Sequence, residues 1–141
     1  MWHSNFTDRL QVWYELRTSC SELPLEEALA QINEFWHQTP WQAHYLHWDD
    51  IQTWPDPWQL LNDNTYCELA RGLGILYTLS LVDHKDLTSA ELVLTDEGYN
   101  LVQVNKLKYI LNWDSEVIVN TPLKYKIKRR LTLEQLKQQY K

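Results

Sequence analysis

The first 40 residues place apolar side chains at helical spacing and punctuate them with helix-starting and helix-stopping residues. Apolar positions recur three or four residues apart over residues 6–17, which predicts an amphipathic helix that opens at Ser4 or Thr7. Pro24 precedes two acidic residues, a pattern that favours the start of a second helix, and Pro40 is expected to end it. The N-terminal part of the chain is therefore predicted to be helical.

The middle of the chain is predicted to contain a turn-rich segment and then a buried helix. Residues 41–58 are aromatic, and the run Trp-Pro-Asp-Pro within them is incompatible with a long helix. Pro57 is expected to start a short helical turn that runs to Leu61. Residues 66–81 are apolar on nearly every face, and a helix of that kind belongs in the interior of a domain.

The apolar period changes from helical to alternating after this helix. Residues 91–95 and 99–104 alternate and are separated by a glycine-containing turn, which predicts a β-hairpin. Thr132 is expected to begin a short terminal helix, and further strands are predicted over residues 107–111, 116–119 and 123–127. Helices followed by strands predict an α+β fold, in which N-terminal helices and a buried central helix pack on an antiparallel sheet.

Length and composition favour a single domain, residues 1–141, of ordinary globular character. The chain has a mass of 17.0 kDa and is 44% hydrophobic and 23% charged. No apolar run reaches the roughly 18 residues that a membrane span needs, and the N-terminus lacks a basic-then-apolar leader. We therefore expect a cytoplasmic protein without a membrane partner, whose two cysteines are free thiols.

The sequence carries no motif for a metal ion or a cofactor. It has no CxxC or HxxxH pair. Gly72 and Gly74 lie inside a predicted helix rather than between a strand and a helix, so they do not form a phosphate-binding loop. Neither a metal nor a cofactor is therefore expected.

Tryptophan is the unusual residue of this composition. Seven of the eight tryptophans fall in residues 1–58. Large amphipathic rings at this density indicate either an aromatic-rich core, which is the commoner case in a short chain, or a surface that a partner covers. On the second interpretation, the candidate binding residues are Trp41, Trp48, Trp54 and Trp58.

The net charge of −6 conceals a strongly divided chain. Residues 124–141 hold seven Lys and Arg against one acidic residue, whereas residues 1–123 hold six basic and 18 acidic residues. Such a basic segment can dock on the acidic body of its own chain, on an acidic neighbouring subunit, or on nucleic acid. We expect protein docking, because the acidic body repels phosphate, and the candidate binding residues are Lys124, Lys126, Lys128, Arg129 and Arg130.

Cys67 stands at the predicted start of the buried central helix. Thr65 and Glu68 have the T-x-x-E spacing of a capping box, which predicts that Thr65 is the N-cap and Cys67 the second helical residue. There a thiol faces unpaired backbone N–H groups and the positive end of the helix dipole, the environment that favours a thiolate nucleophile. The alternative is that Cys67 is a small buried apolar residue, and Cys20 is expected to be structural.

Residues 56–61 (Asp-Pro-Trp-Gln-Leu-Leu) precede residues 67–73 (Cys-Glu-Leu-Ala-Arg-Gly-Leu), so that a short helix stands before a cysteine that opens a buried helix. With the antiparallel strands that follow, this order resembles the core of the transglutaminase-like (papain-related) superfamily over residues 24–112. The resemblance implies that Cys67 is the nucleophile. It also implies a histidine base at the start of the first strand after the helix, and an Asp or Asn that orients it at the end of the next strand.

The histidine that the resemblance requires is absent from its expected place. That place falls on Ser89 or Ala90, and the orienting residue falls near Asn105. His84 follows Cys67 by 17 residues, and a helix that rises 1.5 Å per residue puts it roughly 20–25 Å away. The general base is therefore missing from the position that the pattern requires.

The observations leave three functional hypotheses, of which we favour the first. It is a non-enzymatic structural or assembly protein that inherited a transglutaminase-like core. Such a protein acts through aromatic anchors and charge-complementary docking to other subunits, in homo- or hetero-oligomers. A small, acidic, tryptophan-rich chain with a basic end also resembles small virion or assembly proteins of tailed, T-even-like phages, which implies the host cytoplasm and the virion as locations.

The second hypothesis is a cysteine-dependent acyl-transfer enzyme, a peptidase or an amidase. In it Cys67 attacks a carbonyl carbon, and His44 or His47 from the aromatic segment serves as the base. The third is a nucleic-acid-binding accessory protein that uses the basic segment together with Tyr125. The sequence shows no base-reading motif, which places the third hypothesis last.

Overall fold

Most of the helices precede the strands, which begin at Ala90. The structure is a computed structural model that describes residues 2–106, 108–113, 116–120 and 125–139. Its elements are α1 (Phe6–Cys20), α2 (Leu25–His37), a 3₁₀-helix (Trp48–Thr53), α3 (Pro57–Asp63), α4 (Glu68–Leu81), β1 (Ala90–Thr95), β2 (Asn100–Val104), β3 (Tyr109–Leu111), β4 (Ile118–Val119), β5 (Ile127–Thr132) and α5 (Leu133–Gln139). The predicted α+β fold is confirmed.

The first two helices begin close to where the sequence places them. The N-cap of α1 is Asn5 rather than Ser4 or Thr7, because the Asn5 side-chain oxygen accepts from the backbone N–H groups of Thr7 at 2.8 Å and Asp8 at 3.3 Å. Directly after Pro24, α2 begins as predicted. Both helices therefore start at residues that satisfy or remove their unpaired N–H groups.

The described strands form one antiparallel sheet in the order β4-β3-β2-β1-β5. In the predicted hairpin of β1 and β2, Glu91 lies opposite Gln103 and Val93 lies opposite Leu101. Gly98 in the connecting turn has φ +93°, a backbone conformation that glycine adopts without steric cost. The hairpin prediction is confirmed, and its turn explains why a glycine stands there.

The edge strands differ from the prediction. A strand was expected over residues 123–127, whereas β5 covers Ile127–Thr132, and residues 121–124 lie outside the described residues. The prediction is wrong because the core-facing residue of this strand is Leu131, which is 5% exposed and pairs with Leu92 of β1. The pairing shifts register between Leu94 and Thr95, so β5 carries a bulge. At the other edge, β4 has two residues.

The buried central helix α4 lies between the sheet and α2. On the sheet side, a Cβ added at Gly72 would stand 2.6 Å from Leu92 Cδ1 and 3.9 Å from Val102 Cγ2. On the other side, a Cβ at Gly74 would stand 2.6 Å from three ring atoms of Trp36 on α2. Close approach of a rigid indole therefore requires glycine at position 74.

Thr78 of α4 joins the two N-terminal helices to the core. The indole N–H groups of Trp13 on α1 and Trp36 on α2 both donate to Thr78 Oγ1 at 2.9 Å. The Thr78 hydroxyl in turn donates to the carbonyl oxygen of Gly74 at 2.7 Å. Both indoles are fully buried, so this single oxygen satisfies two donors that have no access to water.

No helix among the described residues combines the length and the apolar character that crossing a bilayer requires. Even α4, which is buried along most of its length, has 14 residues, fewer than the about 20 that span a hydrocarbon core.

Replacing Thr78 tests the shared acceptor. Thr78→Val keeps the side-chain volume but leaves two buried indole N–H groups unpaired, so we expect the free energy of unfolding to fall by about 2–4 kcal/mol. Thr78→Ser keeps the oxygen and loses one methyl group, and should cost about 1 kcal/mol. Urea denaturation followed by circular dichroism measures both variants. Equal losses would show that packing, rather than the hydroxyl, secures the two tryptophans.

Candidate functional site

Cys67 is itself the N-cap of α4, one position before the helix begins. The predicted capping box is therefore wrong: Thr65 lies outside the helix, where its Oγ1 donates to Gln42 Oε1 at 2.9 Å. The helix does not start earlier because Tyr66 is still paired with the segment that follows α2, and its carbonyl accepts from Gln42 N at 2.9 Å. Tertiary pairing has moved the helix start two residues along the chain.

The sulfur of Cys67 is surrounded by backbone. It accepts from Leu46 N at 3.3 Å and from Ala70 N at 3.5 Å, and its thiol points back to Leu46 O at 4.0 Å. Cys67 is 5% exposed. None of these contacts involves an imidazole. The thiol therefore occupies the helix N-terminus that the sequence predicted for it, but no described histidine is hydrogen-bonded to it.

The segment between α2 and the 3₁₀-helix, residues 38–47, contacts Cys67 through Leu46 and is held in place by hydrogen bonds at Tyr45 and His47. The Tyr45 hydroxyl donates to Asp63 Oδ2 on α3 at 2.7 Å, and the carbonyl of His47 accepts from Trp54 Nε1 at 2.8 Å. Burial, together with the hydrogen bond to Asp63, raises the pKa of Tyr45 to about 12. Residues 38–47, called the covering segment below, shield the Cys67 sulfur from solvent. The sequence did not predict this cover.

A cleft of about 340 Å³ opens beside Cys67. His44 and His47 line it, with ring planes within 2° of parallel and centroids 6.4 Å apart. The structure thus brings the two alternative bases of the enzyme hypothesis into the same cleft as the thiol. These groups do not form a metal site, because no group of three or more His, Cys, Asp or Glu among the described residues is arranged to hold an ion.

A polar network forms the end of this cleft where α4 meets the sheet. The backbone N–H of Asn100 donates to Glu68 Oε1 at 2.6 Å, and its side-chain Nδ2 donates to the same oxygen at 3.1 Å. Trp48 Nε1 donates to Asn100 Oδ1 at 2.8 Å. Asn112 Nδ2 donates to the carbonyls of Glu68 at 2.9 Å and Asn100 at 2.8 Å. Both amides are therefore fixed by several bonds each.

Asn100 and Asn112 occupy the strand positions that meet the start of α4. Asn100 begins β2, and Asn112 directly follows β3. A carboxamide does not titrate in the physiological range, so it cannot take the thiol proton as an imidazole would. The sites from which the sheet can present a base to this end of the helix therefore hold two amides.

The base position predicted at Ser89 or Ala90 is wrong. The 14 residues of α4 rise about 21 Å, which leaves the chain at the far end of the sheet. β1 then covers about 20 Å on its way back, so its end and the start of β2 return to Cys67. Accordingly Ala90 pairs with Val104, at the far end of the hairpin. The length argument that excluded a distant histidine also excludes the start of β1.

Asn105 and His84 are structural residues at that far end. Asn105 Oδ1 accepts from Thr88 N at 2.8 Å, and its Nδ2 donates to Asp86 O at 2.9 Å. His84 Nε2 donates to Leu23 O at 2.7 Å, and its Nδ1 accepts from Asp86 N at 3.0 Å. Both ring nitrogens of His84 are thus occupied. The expectation that Asn105 orients a catalytic base is therefore wrong.

Cys20 is fully buried at the end of α1, where its thiol donates to Ala28 O at 3.7 Å. Burial raises the pKa of Cys20 to about 11. A neutral thiol bonded inside the core fits the structural role expected for this residue.

The four candidate tryptophans divide into two pairs. Trp48 and Trp54 are each 8% exposed, because their rings pack together with centroids 5.2 Å apart. They belong to the core and present no free face. Trp41 is 58% exposed and Trp58 46% exposed. Binding through Trp41 and Trp58 stays a prediction, whereas the surface role proposed for Trp48 and Trp54 conflicts with their burial.

Two arginines in the described part of the basic segment form ion pairs with carboxylates of the same chain. Arg129 Nη2 lies 2.7 Å from Asp49 Oδ1, and Arg130 Nη1 lies 2.6 Å from Glu91 Oε1. Docking on the acidic body was one of the alternatives left open by the sequence. The remaining candidate binding residues are Lys126 and Lys128, which are exposed, and Lys124, which lies outside the described residues.

Helices before strands, a central helix that opens at a cysteine, and a five-stranded antiparallel sheet define a transglutaminase-like α+β fold. The structure is similar to LapG of Legionella pneumophila, which has a transglutaminase-like cysteine protease fold, with a TM-score of 0.66 and 14% identity. The match covers 92% of this chain and 77% of LapG. No family model and no curated protein matches the sequence.

At 14% identity this likeness shows the fold alone. It confirms the transglutaminase-like core that the residues around Cys67 resembled. The comparisons give no support to the phage origin or to a virion location.

An isosteric change tests the polar network. Asn100→Asp replaces a donor to Glu68 by a second carboxylate, so we expect the free energy of unfolding at pH 7 to fall by about 2–3 kcal/mol. The loss should shrink at about pH 4, where protonation relieves the repulsion. Asn62→Asp, at an exposed position, is the matched control and should change stability by less than about 0.5 kcal/mol. Urea denaturation at both pH values measures the effect, and a pH-independent loss would contradict it.

The covering segment gives a pH-dependent prediction. Because the pKa of Tyr45 is raised to about 12, the folded state favours the neutral phenol. The stability that it contributes is complete below about pH 10, the usual pKa, and is lost as pH rises towards 12. Tyr45→Phe should therefore unfold at a lower urea concentration than the parent at pH 8, and the gap should narrow above about pH 10. Tyr14→Phe, at an exposed position, is the control at pH 8 and should unfold at the same urea concentration as the parent, whereas a pH-independent gap for Tyr45→Phe would refute the assignment.

Proposed function

We propose that this chain is a non-enzymatic structural or assembly protein built on a transglutaminase-like core. The observation that carries the proposal is the pair of amides at the start of α4. Asn100 and Asn112 hold the strand positions from which a base would reach that end of the helix, and both are bonded to Glu68. A cysteine nucleophile needs a base within roughly 3–4 Å of its sulfur.

The closure of the cysteine supports the same proposal. A nucleophilic sulfur has to reach the substrate carbonyl carbon, whereas Cys67 is 5% exposed and lies under Leu46. A substrate would have to lift the covering segment, which the Tyr45–Asp63 hydrogen bond ties to α3. Hydrogen bonds that hold a thiol in place suit a structural residue at a helix N-cap.

In this proposal the chain acts by binding other protein subunits. The exposed rings of Trp41 and Trp58 are the kind of side chain that dominates binding energy at interfaces. Lys126 and Lys128 are exposed cations that suit an acidic partner surface. Arg129 and Arg130 are engaged with the chain's own carboxylates, which leaves less positive charge for nucleic acid.

A cysteine-dependent acyl-transfer activity is the second candidate, because one observation favours it. His44 and His47 line the cleft beside Cys67, and an imidazole that turns onto the sulfur would complete a nucleophile–base pair. Both histidines are on the covering segment, so this candidate requires that segment to move. The two candidates therefore differ in how Cys67 reacts in the folded chain.

Alkylation of Cys67 by iodoacetamide distinguishes them. We expect the folded chain at pH 7 to react at Cys67 at least about 100-fold more slowly than the urea-unfolded chain, because the sulfur is covered and lacks a base. Peptide mass spectrometry assigns the label to Cys67 or to Cys20. The buried Cys20 serves as an internal standard for a structural thiol.

Histidine variants complete this test. Under the non-enzymatic proposal, His44→Ala and His47→Ala leave the alkylation rate of Cys67 within about twofold of the parent. Rapid alkylation below pH 7 that falls at least tenfold in either variant would overturn the proposal and establish the enzyme candidate. His3→Ala, far along the sequence from the cleft, controls for an unspecific effect of losing an imidazole.

A further inference from the structure

The sheet face that points away from the helices carries an exposed cluster of aromatic rings. Tyr99, Trp113 and Tyr125 form this aromatic cluster, with centroid separations of 5.1 Å for Tyr99–Trp113, 5.2 Å for Tyr99–Tyr125 and 6.1 Å for Trp113–Tyr125. Tyr99 is 37% exposed and Trp113 is 43% exposed. Neither the cleft at Cys67 nor the proposed function uses these rings.

A groove of about 520 Å³ continues from the cluster along the same face. Tyr125 belongs to both, because it packs on the other two rings and also lines the groove. Lys106 and Arg130 line the groove together with Glu91 and Glu134, so its charged residues balance. A balanced groove suits an uncharged backbone rather than a strongly charged ligand.

Gln103 lies in the groove with an unsatisfied amide. It is 3% exposed, and its Nε2 has no hydrogen-bond partner among the described residues. Buried polar groups are almost always paired in native structures, so an unpaired donor that lines a groove points to an acceptor supplied from outside.

We propose that the aromatic cluster and the groove together bind a proline-rich peptide in the extended polyproline II conformation. Tyr99 and Gln103 are four positions apart on one face of the β2 segment, about 13 Å at strand spacing. A polyproline II chain rises about 3.1 Å per residue, so four to five peptide residues span this distance. Its carbonyl groups are free to accept from Gln103 Nε2, because this helix forms no internal hydrogen bonds.

The ring geometry favours proline over a nucleobase. The plane of Tyr99 is tilted by 52° to that of Trp113 and by 47° to that of Tyr125, so Tyr99 forms a wedge with each of them, while Trp113 and Tyr125 are 24° from parallel. Compact pyrrolidine rings fit aromatic-lined wedges of this kind, whereas bases stack on flat faces and need cations for their phosphates. The carboxylates of Glu91 and Glu134 in the groove oppose a phosphate backbone.

Fluorescence anisotropy with fluorescein-labelled decaproline tests the proposal on the full chain. We expect saturable binding below about 1 mM. Trp113→Ala should weaken it at least tenfold and Gln103→Leu at least threefold. Tyr14→Ala, at an exposed tyrosine on α1, is the matched control and should bind as the parent does. Gln103→Leu removes an unpaired polar group, so its urea midpoint should not fall, which separates lost binding from lost folding.

Competing ligands complete the test. A labelled 20-residue oligothymidine and labelled maltohexaose are titrated in parallel with the decaproline. Absence of saturable decaproline binding, equal binding by Trp113→Ala and the parent, or tighter binding of either competitor would each overturn the proposal. None of these outcomes depends on the reactivity of Cys67, so the proposed function stands or falls separately.

Discussion

One carboxylate oxygen, Glu68 Oε1, joins the central helix to the sheet. It accepts from the backbone and the side chain of Asn100, and Asn112 bridges the carbonyls of the same two residues. Hydrogen bonds to an ionised acceptor are stronger than neutral ones, and here they fix where α4 meets two strands. The architecture depends on that junction, because α2 and the sheet pack on opposite sides of α4 and both contacts require that the helix keep this position along the strands. The same hydrogen bonds hold the two amides on which the proposed function rests, so one set of contacts bears on both the stability of the fold and that proposal.

The sequence predicted the order of elements well and the ends of elements less well. Alternation and a turn glycine identified the β1–β2 hairpin, and an all-round apolar pattern identified α4, because local periodicity reports burial directly. The capping box at Thr65 failed since pairing of Tyr66 with a distant segment overrode a local preference. The base position predicted at Ser89 was wrong for a topological reason. The helix α4 carries the chain away from Cys67, and a strand of similar length brings it back to the start of the helix only where the strand ends. No residue motif therefore identified Asn100 as the position that meets the helix start, although the lengths of α4 and β1 are sufficient to locate it.

The aromatic content illustrates a second limit of sequence reasoning. Tryptophan suits both a core and an interface, so composition favoured the core but left both open. The structure assigns Trp13 and Trp36 to the core, where Thr78 satisfies both indoles, and leaves Trp41 and Trp58 on the surface. Whether a tryptophan ring is buried or exposed depends on its contacts with a hydroxyl group or another ring that is far away in sequence. Burial of that kind is a property of the tertiary arrangement.

The two outer strands of the sheet, β4 and β5, reveal a further consequence of the uneven charge distribution along the chain. An open strand rim exposes unpaired N–H and C=O groups, which invite another copy to add on and polymerise. At one rim β4 is too short to serve as a template, with two residues, and at the other β5 combines a bulge with the consecutive cations Lys128, Arg129 and Arg130. A bulge and charged side chains on an outer strand both discourage pairing with another strand. Both outer strands of the described sheet are thereby poor templates for a further strand from another chain.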